Sequence, residues 1–326
     1  AYPLWEREDS VDPVPETVHV NVRGVRVEGT RALGDVYLGL VLWRMLGLDQ
    51  LLDRVLPKAG ELIPWPIVAA ILSVARFCEP SSELHVAETW YRSTGLEDLL
   101  GVRWESVDKD RLYRAHDKVL PFKEEIEKHL KERFSTLFDA EYDLMLYDVT
   151  STYFEGEANR NPQAQRGYSR DHRSDCKQVC IGLVVTRSGL PVAYEVFAGN
   201  RSDVTTVEGI VESMEAKYGQ AHRIWVLDRG MVNPENLEFI QERKGRYIVG
   251  TPKAMLKQYE QSLLDEGDWT QVQDGLEVKT CASPEGQETF VLCRSQARRE
   301  KEKAMHERFE KRIDEGLASL ARRLDK

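Results

Sequence analysis

The sequence predicts a mixed α/β fold. A central sheet opens as an antiparallel meander and grows through helical crossovers, behind a mostly helical N-terminal region. Two observations lead. Leu144-Met-Leu-Tyr-Asp148-Val-Thr150-Ser-Thr152 and Ile224-Trp-Val-Leu-Asp228-Arg229-Gly230 are short apolar runs that each end in an aspartate. Each reads as a buried strand. A third observation lies between them, where two β-rich runs flank a turn signal.

In order, the first strand carries Asp148. The run 178–186 is a second strand, 187–190 a turn and 191–197 a third strand, so the pair is a hairpin. Gly199-Asn-Arg-Ser-Asp203 then opens a helix over 204–218, with Ser202 or Asp203 as its cap. Asp203 is read as a cap rather than a ligand. The next strand carries Asp228. A helix over 234–243 has Pro234 near its start, and 246–250 is a further strand. Strand, strand, strand, helix, strand, helix, strand is the outline of a ribonuclease-H-like fold. It brings Asp148 and Asp228 side by side. An unpaired carboxylate is costly in a core. At a strand's end, two of them make a hard-oxygen site suited to Mg²⁺ or Mn²⁺.

The segments Tyr147-Asp148-Val-Thr-Ser-Thr-Tyr-Phe, Gly199-Asn-Arg-Ser-Asp203 and Leu227-Asp228-Arg-Gly-Met231 occur in this order within 140–255. Together they resemble DDE transposases of bacterial insertion sequences, above all the IS-four-like group. The run beginning Gly34-Asp-Val-Tyr-Leu-Gly is similar to the same group. The resemblance implies a DNA transposase that cleaves insertion-sequence ends and transfers strands, using a two-metal Mg²⁺ or Mn²⁺ site. Its first two catalytic, metal-holding acids fall on Asp148 and Asp228. It further implies terminal inverted repeats and target DNA as partners, a homodimer assembled on DNA, and a bacterial cytoplasm with nucleoid association. The family's third acid is a glutamate in a Tyr-x₂-Arg-x₃-Glu-x₆-Lys signature. That signature is absent: the last tyrosine is Tyr259, followed by Ser262 where the arginine belongs. The chain also begins at Ala1 and ends at Lys326, and the expectation is a C-terminally truncated transposase whose third acid lies downstream. Glu300 and Glu307 are weaker nominees. Two other classes stay open: a ribonuclease-H-like nuclease without strand transfer, and an inert DNA-binding remnant.

The expected organisation is a helical region over 1–140 that binds DNA ends, a catalytic core over 141–255, a β-rich insertion over 256–295 and a charged helix over 296–326. Helices are expected at 34–46, 66–77, 81–91, 109–119 and 122–137, with a small hairpin over 18–28. Trp65, Trp90 and Trp104 are assigned to packing. Glu124, Glu125, Glu127 and Glu132 give the last of these helices an acidic face directed to solvent. In the insertion, 276–281 and 288–293 are candidate strands. The charge run from Arg298 to Lys303 reads as a solvated helix with i,i+4 pairs, or else a DNA-facing one.

With 45 basic and 55 acidic side chains the net charge is −10, the reverse of the usual basic footprint of a DNA protein. DNA contact must therefore be local. Arg160, Arg166, Arg170, Arg173, Lys177 and Arg187 are opposed over 160–187 only by Asp171 and Asp175. This reads as a mobile basic loop beside the Asp148 strand that either holds phosphates or is simply solvated. Arg229 and Lys177 are phosphate contacts in the first reading, and Arg229 is a rim salt bridge in the second. Thr150 and Thr152 orient Asp148 or touch the strand. Of five cysteines, Cys176 and Cys180 lack the partners a zinc site requires, so reduced thiols are expected. The apolar run 62–75 contains Pro64 and Pro66 and is too short to span a bilayer.

Overall fold

A computed structural model describes residues 22–24, 26, 29–58, 60–220, 222–251, 257–283 and 288–324. The chain divides into two compact units, 1–248 and 249–326.

The first unit starts with helices α1 (Gly34–Met45), α2 (Leu48–Val55), α3 (Trp65–Cys78), α4 (Glu83–His85), α5 (Leu96–Leu100), α6 (Lys109–Val119) and α7 (Lys123–Phe138). α3 is the hub because it is apolar nearly all round, burying Trp65, Val68, Ala69, Ile71 and Val74. Pro66 is tolerated in its first turn, where a missing N–H breaks no helical hydrogen bond. Trp43, Trp65 and Trp90 close this core, while half-buried Trp104 carries the Arg92 guanidinium 3.9 Å above its ring. α2 was not foreseen. The helix expected over 81–91 is broken instead: α4 passes into one π turn, Val86–Trp90, and a 3-10 turn, Tyr91–Ser93. Of the hairpin expected over 18–28, Val22–Gly24 is a 3-10 turn, and the residues either side of it lie mostly outside the described ones.

The sheet follows: β1 (Leu144–Phe154), β2 (Lys177–Thr186), β3 (Pro191–Ala198), β4 (Ile224–Leu227) and β5 (Arg246–Val249), in the spatial order β3-β2-β1-β4-β5. β1 to β3 form an antiparallel meander, and β4 joins β1 in parallel. α8 (Val207–Tyr218) and α9 (Pro234–Glu242) make the crossovers. This is a ribonuclease-H-like core, as the sequence predicts. Met145, Tyr147 and Val149 of β1 and Trp225 and Leu227 of β4 are buried. On α8, Val207, Ile210, Val211 and Met214 are buried too. Tyr147 donates to the Thr206 hydroxyl just before α8 at 2.8 Å. Burial chiefly pushes its phenol up to about 12.

α7 joins the helical region to the sheet. His129 donates to the Leu46 carbonyl at 2.7 Å and Arg133 to that of Met45, satisfying acceptors left open at the end of α1. Glu127 does not face solvent as expected. It is buried, 2.8 Å from Lys217 of α8. Lys217 also meets Glu195 of β3 at 2.9 Å, and Lys123 meets Glu195 at 3.1 Å. Glu124, Glu125 and Glu132 are exposed.

The second unit holds α10 (Glu260–Leu264), an antiparallel sheet of β6 (Thr270–Gln273), β7 (Leu276–Ala282) and β8 (Thr289–Ser295), and α11 (Gln296–Leu324). Tyr259 packs on Phe290 with ring centroids 4.8 Å apart. Lys279 pairs with Asp265 at 2.8 Å and Arg294 with Glu266 at 2.9 Å. In α11, Arg298 and Glu302 form the expected i,i+4 pair at 3.0 Å. Among the described residues no helix is long and apolar enough to cross a membrane.

Candidate active site

The parallel ladder pairs Leu144 with Ile224 and runs in step to Tyr147 with Leu227. One residue further on, the same register sets Asp148 beside Asp228. Neighbouring strands lie about 4.8 Å apart, and side chains in step project from the same face. Tyr147 and Leu227 are both buried, whereas Asp148 and Asp228 are both exposed. The two carboxylates therefore leave the sheet together on its open face, at the point where β4 ends. The Val149 amide donates to Asp148 Oδ1 at 2.8 Å. Thr150 and Thr152 share its face, and no hydrogen bond joins either hydroxyl to the carboxylate among the described residues. Asp228 precedes the 3-10 turn Arg229–Met231. Arg229 is exposed and makes no ion pair among the described residues, so the rim salt bridge is not found.

Asp203 does not cap a helix. It begins the 3-10 turn Asp203–Thr206, which has no side-chain cap, and its carboxylate accepts from Arg170 at 2.5 Å. Sequence reasoning missed this pair because its halves lie 33 residues apart.

The basic segment is pinned, contrary to the mobile loop expected. Gln165 and Gln178 exchange backbone hydrogen bonds at 3.1 and 2.9 Å, and the Gly199 amide donates to the Gln163 carbonyl at 3.0 Å. The buried Gln178 side chain donates to the carbonyls of both Tyr168 and Gly199. A Cβ on Gly199 would fall 1.9 Å from the Gln178 carbonyl oxygen, and one on Gly167 would fall 2.0 Å from that of Gly199. These glycines let loop, strand and turn touch backbone to backbone. Of the sequence-predicted cations, Arg160 and Arg166 are exposed. Lys177 donates to Asn159 at 2.9 Å. Arg173 grips Asp175 with two bonds of 3.0 Å. Those bonds hold the Asp175 carboxyl down at about 2.

Among the described residues, no three acidic, histidine or cysteine side chains converge as a metal cluster. Two neighbouring carboxylates still match how Mg²⁺ is commonly held, by one or two carboxylates, water and substrate phosphate. Glu300, in the second unit, accepts from Gln296 at 3.2 Å.

The family model described as "Transposase DDE domain" matches residues 139–314. The chain belongs to the transposase DDE domain family. No curated protein matches it. Solved structures similar to it include a simian T-cell lymphotropic virus intasome in complex with a phosphatase regulatory subunit (11% identity, 42% of this chain, 48% of that chain, TM-score 0.23). Another is a piggyBac transposase synaptic complex with hairpin DNA (10% identity, 77% and 51%, TM-score 0.28). A third is the Mos1 transposase paired-end complex with the left transposon end (10% identity, 65% and 75%, TM-score 0.24). The chain spans about half the length of the first two. Scores this low leave the strand order to carry the fold.

Proposed function

We propose that this DDE-family chain is a DNA transposase of the IS-four-like group that cleaves and joins DNA at insertion-sequence ends, with Asp148 and Asp228 as its first two catalytic acids. The observation that carries the reading is the β1–β4 register, which turns both carboxylates to one open face. Mg²⁺ or Mn²⁺ bound there would activate the attacking oxygen and stabilise the leaving one. Asp148 and Asp228 would supply hard oxygen ligands, and a third carboxylate would complete the set. Arg229, next to Asp228, is placed to neutralise the phosphate. Arg160, Arg166, Arg170, Arg173 and Lys177 hold the flanking backbone. DNA ends and target DNA are the partners, engaged by a homodimer.

Two carboxylates fix a metal loosely, so residues 1–326 should bind DNA well and cut it poorly. The test is calorimetry with Mn²⁺. Weak binding is expected in the unaltered chain, with at least tenfold loss in Asp148→Asn and in Asp228→Asn. Unchanged affinity in Asp148→Asn would overturn the assignment. Nicking of an end-containing duplex, scored also for joined products, separates transposase from simple nuclease.

A further inference from the structure

Four large apolar side chains of α11 stand open to solvent. Met305, Phe309, Ile313 and Leu317 are 44%, 56%, 60% and 59% exposed. They recur every four residues. At about 100° and about 1.5 Å per residue they form one stripe roughly 120° wide and about 18 Å long. Gly316 falls on the same stripe, and a Cβ there would meet nothing within 4 Å, so a second backbone has room to approach. Scattered apolar residues on a surface are ordinary. A continuous stripe along one helix marks a contact.

The edges of the stripe identify its partner. Arg308 and Arg312 run along one edge, about 120° and 80° from the centre line, and Glu310 and Asp314 run along the other at about 80° and 120°. Each edge therefore sets like charges four residues apart, where they repel along the helix. Three and four residues from Arg308 stand Ala304, Met305, Lys311 and Arg312, with no acid among them. Around Glu310 the same positions hold His306, Glu307, Ile313 and Asp314, with no lysine or arginine. Arg298 and Glu302 form an ion pair within α11, but these four charges form none among the described residues. On the outward face, by contrast, Glu307, Lys311 and Glu315 alternate in sign at the favourable spacing. A second α11 laid parallel on the first supplies what the edges lack. Two-fold symmetry then sets the basic edge of each helix against the acidic edge of the other, twice over. An antiparallel pair would bring like edges together. Nucleic acid would meet the acidic edge, and a membrane-surface helix would carry cations on both edges. The stripe drifts by about 40° per step, which suits a short crossing and a weak pair.

We propose that two copies of this chain associate through α11, stripe on stripe and in parallel, without DNA or metal. The pairing gives a surface to the homodimer of the transposase reading and rests on that reading only for its use. Sedimentation equilibrium of residues 1–326 in EDTA, with no DNA present, tests it. A concentration-dependent dimer is expected, weaker at high salt because screening acts on opposed charges. Phe309→Asp should raise the dissociation constant by about tenfold or more. Arg308→Glu with Arg312→Glu makes both edges acidic, and Glu310→Arg with Asp314→Arg makes both basic. Each double variant should lose about tenfold or more alone, and their equimolar mixture should recover to within about threefold of the unaltered chain. All these side chains are exposed, and unchanged thermal melts would show intact folding. A monomer at every concentration would overturn the proposal. So would association that ignores Phe309→Asp, that tightens with salt, or that mixing does not restore. Failure here with Mn²⁺ binding intact leaves the catalytic assignment standing; the reverse result leaves the pairing standing.

Discussion

Gly199 and Gly209 lie ten residues apart, and opposite outcomes are expected when each becomes alanine. At Gly199 the new methyl would collide with the Gln178 carbonyl at 1.9 Å, so Gly199→Ala should cost about 1–3 kcal/mol, the usual range for overpacking. At Gly209, exposed on α8, the nearest atom would be Phe197 Cε1 at 3.8 Å. Gly209→Ala should therefore stabilise by about 0.5–1 kcal/mol through helix propensity. Thermal melts of the two variants check both signs. The same contrast shows which residues were legible from sequence. Asp148 and Asp228 stood out because a lone carboxylate ending an apolar run is a local signal. The roles of Asp203 and Glu127 were not legible, because what defines each is a partner far along the chain.

At the scale of elements, the strands and crossovers of the sheet were readable because each is an apolar run bounded by turn residues. α2 was not, since its eight residues hold only two buried leucines. The docking of α7 was hidden as well: four glutamates look alike in a sequence, and only Glu127 meets a lysine in the interior. Burial alone would raise the Glu195 carboxyl, but hydrogen bonds from Lys217, Ser213 and Lys123 leave it below its ordinary value. Burial would lower Lys217, but Glu127 and Glu195 hold it above. Glu195, depressed, contributes stability above the unfolded carboxylate value near ~4.3 that is lost as pH falls through its folded value. Lys217, raised, contributes below about 10.4 and loses that as pH climbs through its folded value. Lys217→Met strands a buried charge and should cost about 3 kcal/mol near neutrality. Denaturant titration should find that gap flat from about pH 5 to 10 and shrinking on either side. Adding Glu127→Leu should recover part of the loss; a larger loss in the double variant would contradict the pairing.

For the whole molecule, a net charge of −10 means that the proposed DNA contact must be local and work against the general field. Affinity should fall steeply between about 50 and 200 mM salt, as counterion release requires. Arg166→Ala, removing an exposed cation, should shallow the slope of log affinity against log salt by about one. An unchanged slope would place Arg166 away from the phosphates.

The two-sided pairing of β1 also ends at a telling place. Up to Tyr147 the strand is laced to β2 on one side and β4 on the other; from Asp148 to Phe154 only β2 holds it among the described residues. A ribbon sewn along both edges and then along one bends where the second seam stops. Breathing of this sheet is therefore expected to be greatest from Asp148 onward, at the carboxylate proposed as catalytic. Tyr147 occupies the last rung held on both sides, and Asp148 is the first residue of β1 whose β4 edge is open among the described residues.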